Sequence, residues 1–140
     1  KQVSVEQMLG ALSEVQLSHL VENLAEGLNT EIGEKGTCLS GGEKQRLALA
    51  RLWFEDSELV ILDEATSAMD NLTEENVMKS VMQKMKDKTI IAIAHRLNSI
   101  AGFDRIILFK EGRIVTILDV SYGFQGERKR YFYVNGLMKQ

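Results

Sequence analysis

The sequence predicts an α/β fold. Two short apolar runs, Leu59-Val60-Ile61-Leu62 and Thr89 to Ala94, read as buried strands of a parallel sheet. Between them Asn71 opens a segment with Val77, Val81, Met82 and Met85 on one helical face. Strand, helix, strand in that order is a βαβ unit. Composition agrees with a folded domain: the chain has 140 residues, 44% hydrophobic and 26% charged. Those values exclude a wholly disordered chain, a collagen-like repeat and a disulfide scaffold.

The elements follow in order. Ser4-Val5-Glu6-Gln7 has capping-box spacing, in which a serine and a glutamine satisfy the first free amides of a helix. Ser13-Glu14-Val15-Gln16 repeats it, and Leu17, Leu20, Val21 and Leu24 continue as one buried stripe. His19, between Leu17 and Leu20, is read as a structural residue of that stripe. From Ala25 to Cys38 the period is lost, and Gly27, Gly33 and Gly36 mark a loop. Ser40-Gly41-Gly42-Glu43 is a third capping box ahead of a helix from Gln45 to Phe54. Its apolar positions, Leu47, Ala48, Leu49, Ala50 and Leu52, lie nearly all round and predict deep burial. The run Leu59 to Leu62 predicts a strand covered on both faces. Asn71-Leu72-Thr73-Glu74 starts the next helix. Arg105 to Phe109 and Arg113 to Leu118 read as a hairpin turning at Lys110-Glu111-Gly112. Beyond Leu118 the pattern degrades, with a charge cluster at Glu127-Arg128-Lys129-Arg130 before Tyr131-Phe132-Tyr133, and helix or coil is expected.

Several function classes drop out. No stretch of about 18 apolar residues exists to span a bilayer. A net charge of −3 gives no general attraction to nucleic acid or anionic lipid. Cys38 is the sole cysteine, so no internal disulfide forms, and no metal-ligand spacing surrounds it. The start, Lys1-Gln2-Val3-Ser4, has no apolar signal-peptide core, and the absence of an initiator methionine leads us to expect a chain cut from something longer.

Three constellations carry chemistry. Asp63 and Glu64 end a buried strand, where α/β proteins place ligand-binding groups. Carboxylates there can hold Mg²⁺ beside substrate phosphates, or polarise water as a general base. Ser40-Gly41-Gly42 opens a helix, whose free amides and partial positive charge suit an anion. His95 directly follows the second buried strand and can reach the same edge as Asp63 and Glu64. Taken singly, each has a plain structural reading: a solvated strand end, a capped helix, an exposed histidine.

Together they are more specific. Leu39-Ser40-Gly41-Gly42-Glu43-Lys44-Gln45-Arg46, then Leu59 to Asp70, then His95, resemble the ATP-binding-cassette (ABC) ATPases in order and spacing. The resemblance runs from about Val3 to Leu118. It implies a partial P-loop NTPase fold: a helical subdomain over 1–56, the C-terminal part of a mostly parallel core sheet over 57–118, and a divergent tail over 119–140. It further implies that Leu39, Ser40, Gly41, Gly42 and Glu43 form the signature motif, contacting ATP held mainly by an opposite subunit. Glu43 stands where many members have glutamine. Asp63 would serve Mg²⁺ and Glu64 would activate water. Ser67, Ala68, Met69 and Asp70 would form the D-loop at a head-to-tail dimer interface, and His95 would contact the γ-phosphate. Thr30-Glu31-Ile32-Gly33-Glu34-Lys35-Gly36 is similar to the X-loop of ABC exporters, which touches the membrane domains.

A P-loop string, G-x-x-x-x-G-K-[ST], is absent. Gly36 and Gly41 have the right separation, but Gly42-Glu43 follows them, and Lys79-Ser80 and Lys88-Thr89 have no preceding glycine pattern. The expectation is therefore part of an exporter's ATP-hydrolysing subunit, at the cytoplasmic face of a membrane, using ATP and Mg²⁺ and inactive alone. Its expected partners are a second nucleotide-binding domain and transmembrane domains, with no nucleic acid. The alternative is a truncated, non-catalytic module that offers its signature motif to a partner bearing the missing loop. A DNA-repair ATPase of the same family ranks last, because no long heptad coiled coil flanks the signature.

Overall fold

The computed structural model describes residues 2–33, 36–94, 102–119 and 130–135. Helices α1 (Val5–Glu14) and α2 (Ser18–Asn23) are followed by a 3-10 turn (Gly27–Asn29), helix α3 (Gly41–Ala50) and a second 3-10 turn (Arg51–Phe54). Strand β1 (Leu59–Asp63), helix α4 (Asn71–Lys84), and strands β2 (Thr89–Ala94), β3 (Arg105–Lys110), β4 (Arg113–Asp119) and β5 (Arg130–Asn135) complete the chain. Two compact units result: Lys1–Glu55 with Ala68–Val81, and Asp56–Ser67 with Met82–Gln140.

In the first unit the opening capping box forms as its spacing predicts. The Gln7 amide donates to Ser4 Oγ at 3.2 Å, and the Ser4 amide donates to Gln7 Oε1 at 3.0 Å. The second box does not form. Ser13 lies in the last turn of α1, where its carbonyl accepts from the Gln16 amide at 2.9 Å. Gln16 takes a positive φ of 60° and turns the chain, so α2 starts only at Ser18 and without a side-chain cap. Val15 and Leu17 fill the core beside this turn, at 0% and 1% exposure. His19 is not on a buried stripe: its side chain is 89% exposed, facing Glu22 and hydrogen-bonded to Asn23.

Helix α3 starts at Gly41, earlier than its apolar period suggests, because the capping box fixes its first turn. Burial is one-sided. Leu49 and Ala50 are buried, Leu47 and Leu52 are half-buried, and Ala48 is exposed. The expectation of an all-round buried helix fails because alanine is as compatible with a solvent face as with a core. Helix α4 starts at Asn71 as expected, capped by Asp70, whose Oδ1 accepts from the Thr73 amide at 3.0 Å. Its predicted face holds: Val77, Val81 and Met82 are buried, as is Met85 just beyond the helix.

The second unit is a five-stranded sheet of order β1-β2-β5-β3-β4. Strands β1 and β2 pair in parallel from Leu59↔Thr89 to Asp63↔Ile93, joined by α4, which is the βαβ unit the sequence predicts. Strands β3 and β4 form the antiparallel hairpin, from Arg105↔Asp119 to Lys110↔Arg113. Its turn residues Glu111 and Gly112 both take positive φ, 50° and 74°, as a tight hairpin matched to strand twist requires.

Two corrections concern the sheet. The chain beyond Leu118 is not all helix or coil, since Arg130–Asn135 is a strand, parallel to β2 on one side and to β3 on the other. Local periodicity cannot reveal such a strand, because pairing with distant neighbours creates it. The charge cluster at 127–129 lies outside the described residues. Strand β1 is not covered on both faces: Val60 and Leu62 are buried, while Leu59 and Ile61 are 46% and 61% exposed. It stands at the sheet edge, and its alternate side chains face solvent. The core lies instead around Ile90, fully buried on β2.

Because β5 pairs with both β2 and β3, a chain ending at Asp119 is expected to lose amide-exchange protection over Ile90–Ala94 while α1 and α3 keep theirs. Hydrogen exchange read by mass spectrometry checks this, and unchanged protection in β2 would refute the bridging role.

Candidate functional site

The first candidate surface is the start of α3. Ser40 Oγ accepts from the Glu43 amide at 3.3 Å, and Glu43 Oε2 accepts from both the amide and the hydroxyl of Ser40 at 2.7 Å each. These hydrogen bonds, Ser40's hydroxyl first and its amide next, hold the Glu43 carboxyl below its ordinary value of 4.5, with help from the nearby Arg46 guanidinium. The amides of Gly41 and Gly42 sit in the first turn, where no intrahelical acceptor exists for them. Leu39, ahead of the cap, is buried at 5% exposure and anchors the turn.

The glycines have a steric reason. A Cβ on Gly42 would stand 3.0 Å from the Ala68 carbonyl oxygen, and one on Gly41 would stand 3.2 Å from the Ala68 Cβ. Gln45, one turn further on, accepts the Ala68 amide proton on Oε1 at 2.9 Å. So the first unit brings the Ser40–Glu43 turn against Ala68, and Met69 behind it is buried at 4% exposure. Asp70 closes this stretch as the cap of α4. Its carboxyl is pulled below the ordinary carboxylate range by the hydroxyl of Thr73 first and the amide of Thr73 next.

The second surface is the C-terminal end of β1. Asp63 and Glu64 are both exposed there. Glu64 has a φ of +47°, a left-handed conformation that costs a non-glycine residue about 1–2 kcal/mol. Two backbone hydrogen bonds hold it: its amide donates to the Ile93 carbonyl at 2.9 Å, and its carbonyl accepts from Ser67 at 3.1 Å. Strain of this kind concentrates at functional positions. Thr66, in the same turn, is buried at 8% exposure. His95 follows β2 and lies outside the described residues, as do Glu34 and Lys35.

The loop before α3 is shaped by backbone bonds. Ile32 bridges Thr37, and the Thr37 amide donates to the Glu31 carbonyl at 2.9 Å. A Cβ on Gly36 would fall 2.1 Å from that carbonyl oxygen, so only glycine fits. Glu31, Ile32 and Gly33 are exposed, and the hydroxyl of Thr30 is buried without a hydrogen-bond partner among the described residues. No group of three or more His, Cys, Asp or Glu side chains gathers to hold a metal among the described residues. The Asp63-Glu64 pair fits the lighter requirement of Mg²⁺, which takes one or two carboxylates and completes its shell with phosphate and water.

Sequence reasoning did not single out Gln45. Its signal was its place, one helical turn beyond the N-cap glycines, on the side of α3 that faces Ala68.

Comparison with known proteins gives the family. The ABC transporter family model matches residues 2–67. The mitochondrial iron-sulfur clusters transporter ATM1 of Yarrowia lipolytica is 48% identical over 99 residues, covering 71% of this chain and 14% of that protein. An ATP-dependent lipid A-core flippase of Cupriavidus pinatubonensis is 46% identical over 104 residues, covering 74% of this chain and 18% of that protein. A bacterial Atm1-family ABC exporter solved with ATP bound superposes with a TM-score of 0.75 at 35% identity, over 84% of this chain and 21% of that one. The chain thus spans less than a fifth of the curated relatives named here. Fold and motifs define a portion of a P-loop ATPase core of the ABC type. The chain belongs to the ABC transporter family, as part of an exporter nucleotide-binding domain.

The depressed carboxyl of Glu43 sets a pH dependence. The folded box binds a proton less readily than the unfolded chain, so its stabilisation is full above about pH 4.5 and is lost as pH falls through the lower folded value. Glu43→Gln keeps an acceptor oxygen but cannot titrate, and is expected to flatten this part of the stability profile. Urea unfolding between about pH 3 and pH 6 checks it; identical profiles for the two proteins would contradict it.

Proposed function

We propose that this chain supplies the signature motif and the hydrolytic strand end of an exporter's nucleotide-binding domain, which couples ATP binding and hydrolysis to transport across a membrane. The observation that carries this reading is the left-handed Glu64 at the end of β1, in a chain whose α3 begins with the capped glycine turn Ser40–Glu43. In this reading Glu64 takes the proton of the attacking water, and Asp63 holds Mg²⁺ through water. Bound Mg²⁺ would neutralise phosphate charge. Ser40, Gly41 and Gly42 present a hydroxyl and free amides to the γ-phosphate of ATP held by an opposite subunit, with Leu39 and Glu43 fixing the turn. His95 contacts the same phosphate. Ser67, Ala68, Met69 and Asp70 cross to the second nucleotide-binding domain in a head-to-tail dimer.

In this reading the loop of Thr30, Glu31, Ile32, Gly33 and Glu34, exposed at Glu31, Ile32 and Gly33, meets the transmembrane domains, and the domain works at the cytoplasmic face of the membrane. The iron-sulfur and lipid names of the relatives belong to those proteins, and the cargo here is set by membrane domains outside this sequence.

A second reading has its own support, the absence of a G-x-x-x-x-G-K-[ST] string. The chain would then be a non-catalytic module lending its signature turn to a P-loop-bearing partner. Both readings make the chain alone a weak binder of MgATP without useful turnover. Titration calorimetry giving low-micromolar affinity would contradict them.

Glu64→Gln in the complete transporter is expected to lower ATP turnover by about 100-fold or more, the usual scale for a lost general base. A steady-state phosphate-release assay reads this, and near-wild-type turnover would end the general-base assignment.

A further inference from the structure

We propose that Gln45 is a positioning residue that fixes the backbone of the D-loop to the signature helix within one subunit. The inference rests on the reading above, in which these two segments serve ATP hydrolysis.

Three observations meet on one residue, Ala68. Its amide donates to Gln45 Oε1 at 2.9 Å. Its carbonyl oxygen stands at the limit of contact with Gly42, where a Cβ would approach to 3.0 Å. Its Cβ bears on Gly41, where a Cβ would approach to 3.2 Å. Donor, acceptor and methyl group of Ala68 are thus all engaged by the first turns of α3. Ala68 is also the first residue of the segment that returns to the first unit, since Ser67 belongs to the second. Gln45 therefore clamps the chain just after it leaves the Glu64 turn.

The chemistry of the clamp is specific. Gln45 acts through its side-chain oxygen, so a residue of similar length that keeps an acceptor should preserve the bond, and one without an acceptor should lose it. The glycines supply close packing but no direction, and the Gln45 bond sets the orientation of the Ala68 peptide. That peptide begins the run Ala68–Asp70 ending in the cap of α4. A phosphate at the start of α3 would then be felt at the D-loop through a single rigid turn, without rearrangement of the core.

The test compares Gln45→Met and Gln45→Glu in the complete transporter. Gln45→Met is expected to speed deuterium uptake in a peptide spanning residues 65–72. It should also lower kcat about three- to tenfold, the scale of one lost hydrogen bond, with KM for MgATP within about twofold. Gln45→Glu should restore both readouts to within about twofold of wild type. Unchanged exchange in Gln45→Met, unchanged kcat, or a Gln45→Glu protein that behaves like Gln45→Met would each overturn the proposal. Turnover abolished by Glu64→Gln but untouched by Gln45→Met would overturn this proposal alone. A wild-type transporter without turnover would overturn the hydrolytic reading and this inference with it, while the exchange readout still reports on the bond itself.

Discussion

At the end of β1 the chain has to leave a sheet without a glycine, and it does so through Glu64 in a left-handed conformation. The bond from the Glu64 amide to the Ile93 carbonyl ties this turn to the end of β2, and the bond from Ser67 closes it. Without that turn the strand would run on, and Asp63 and Glu64 would alternate to opposite faces. With it, two carboxylates are gathered at one sheet edge. The placement of the acids at the end of β1 and the closure of the turn by Ser67 follow from this backbone reversal. The cost, about 1–2 kcal/mol at a non-glycine residue, is offset by the parallel pairing of β1 with β2 over five register positions.

The sheet shows a second dependence. Strands β2 and β3 are consecutive in the chain but not neighbours, and β5 lies between them in parallel with both. Among the described residues the hairpin β3–β4 joins the βαβ unit through this strand. The open face of β1, with Leu59 and Ile61 exposed, shows that the apolar content of the sequence is not spent wholly on a closed core.

Local signals that a few neighbouring residues decide were legible in the sequence. The capping boxes at Ser4 and Ser40, the buried face of α4, the βαβ unit and the Glu111-Gly112 hairpin all rest on short-range chemistry, and all formed. The second box at Ser13 failed because Gln16 turned the chain, a backbone choice that side-chain spacing does not encode. The burial of α3 and β1 was overread because apolar composition does not say which face finds a neighbour. Strand β5 was missed because its partners are far away in sequence. Among the candidate residues, the capped glycine turn at Ser40 and the acidic end of β1 were read from order and spacing. Gln45 was not, because its importance lies in a partner, Ala68, that only the fold brings near.

In the proposed function, the first turn of α3 meets the γ-phosphate of ATP held by another subunit. The cap at Ser40, the bare amides of Gly41 and Gly42, and the bracing by Ala68 make that turn rigid and open at once. The direct measurement is photolabelling of the complete transporter with an ATP analogue carrying its reactive group on the γ-phosphate, followed by peptide mapping. Label is expected within residues 37–46, suppressed by excess ATP. Label confined to other segments, with none in that turn, would contradict it.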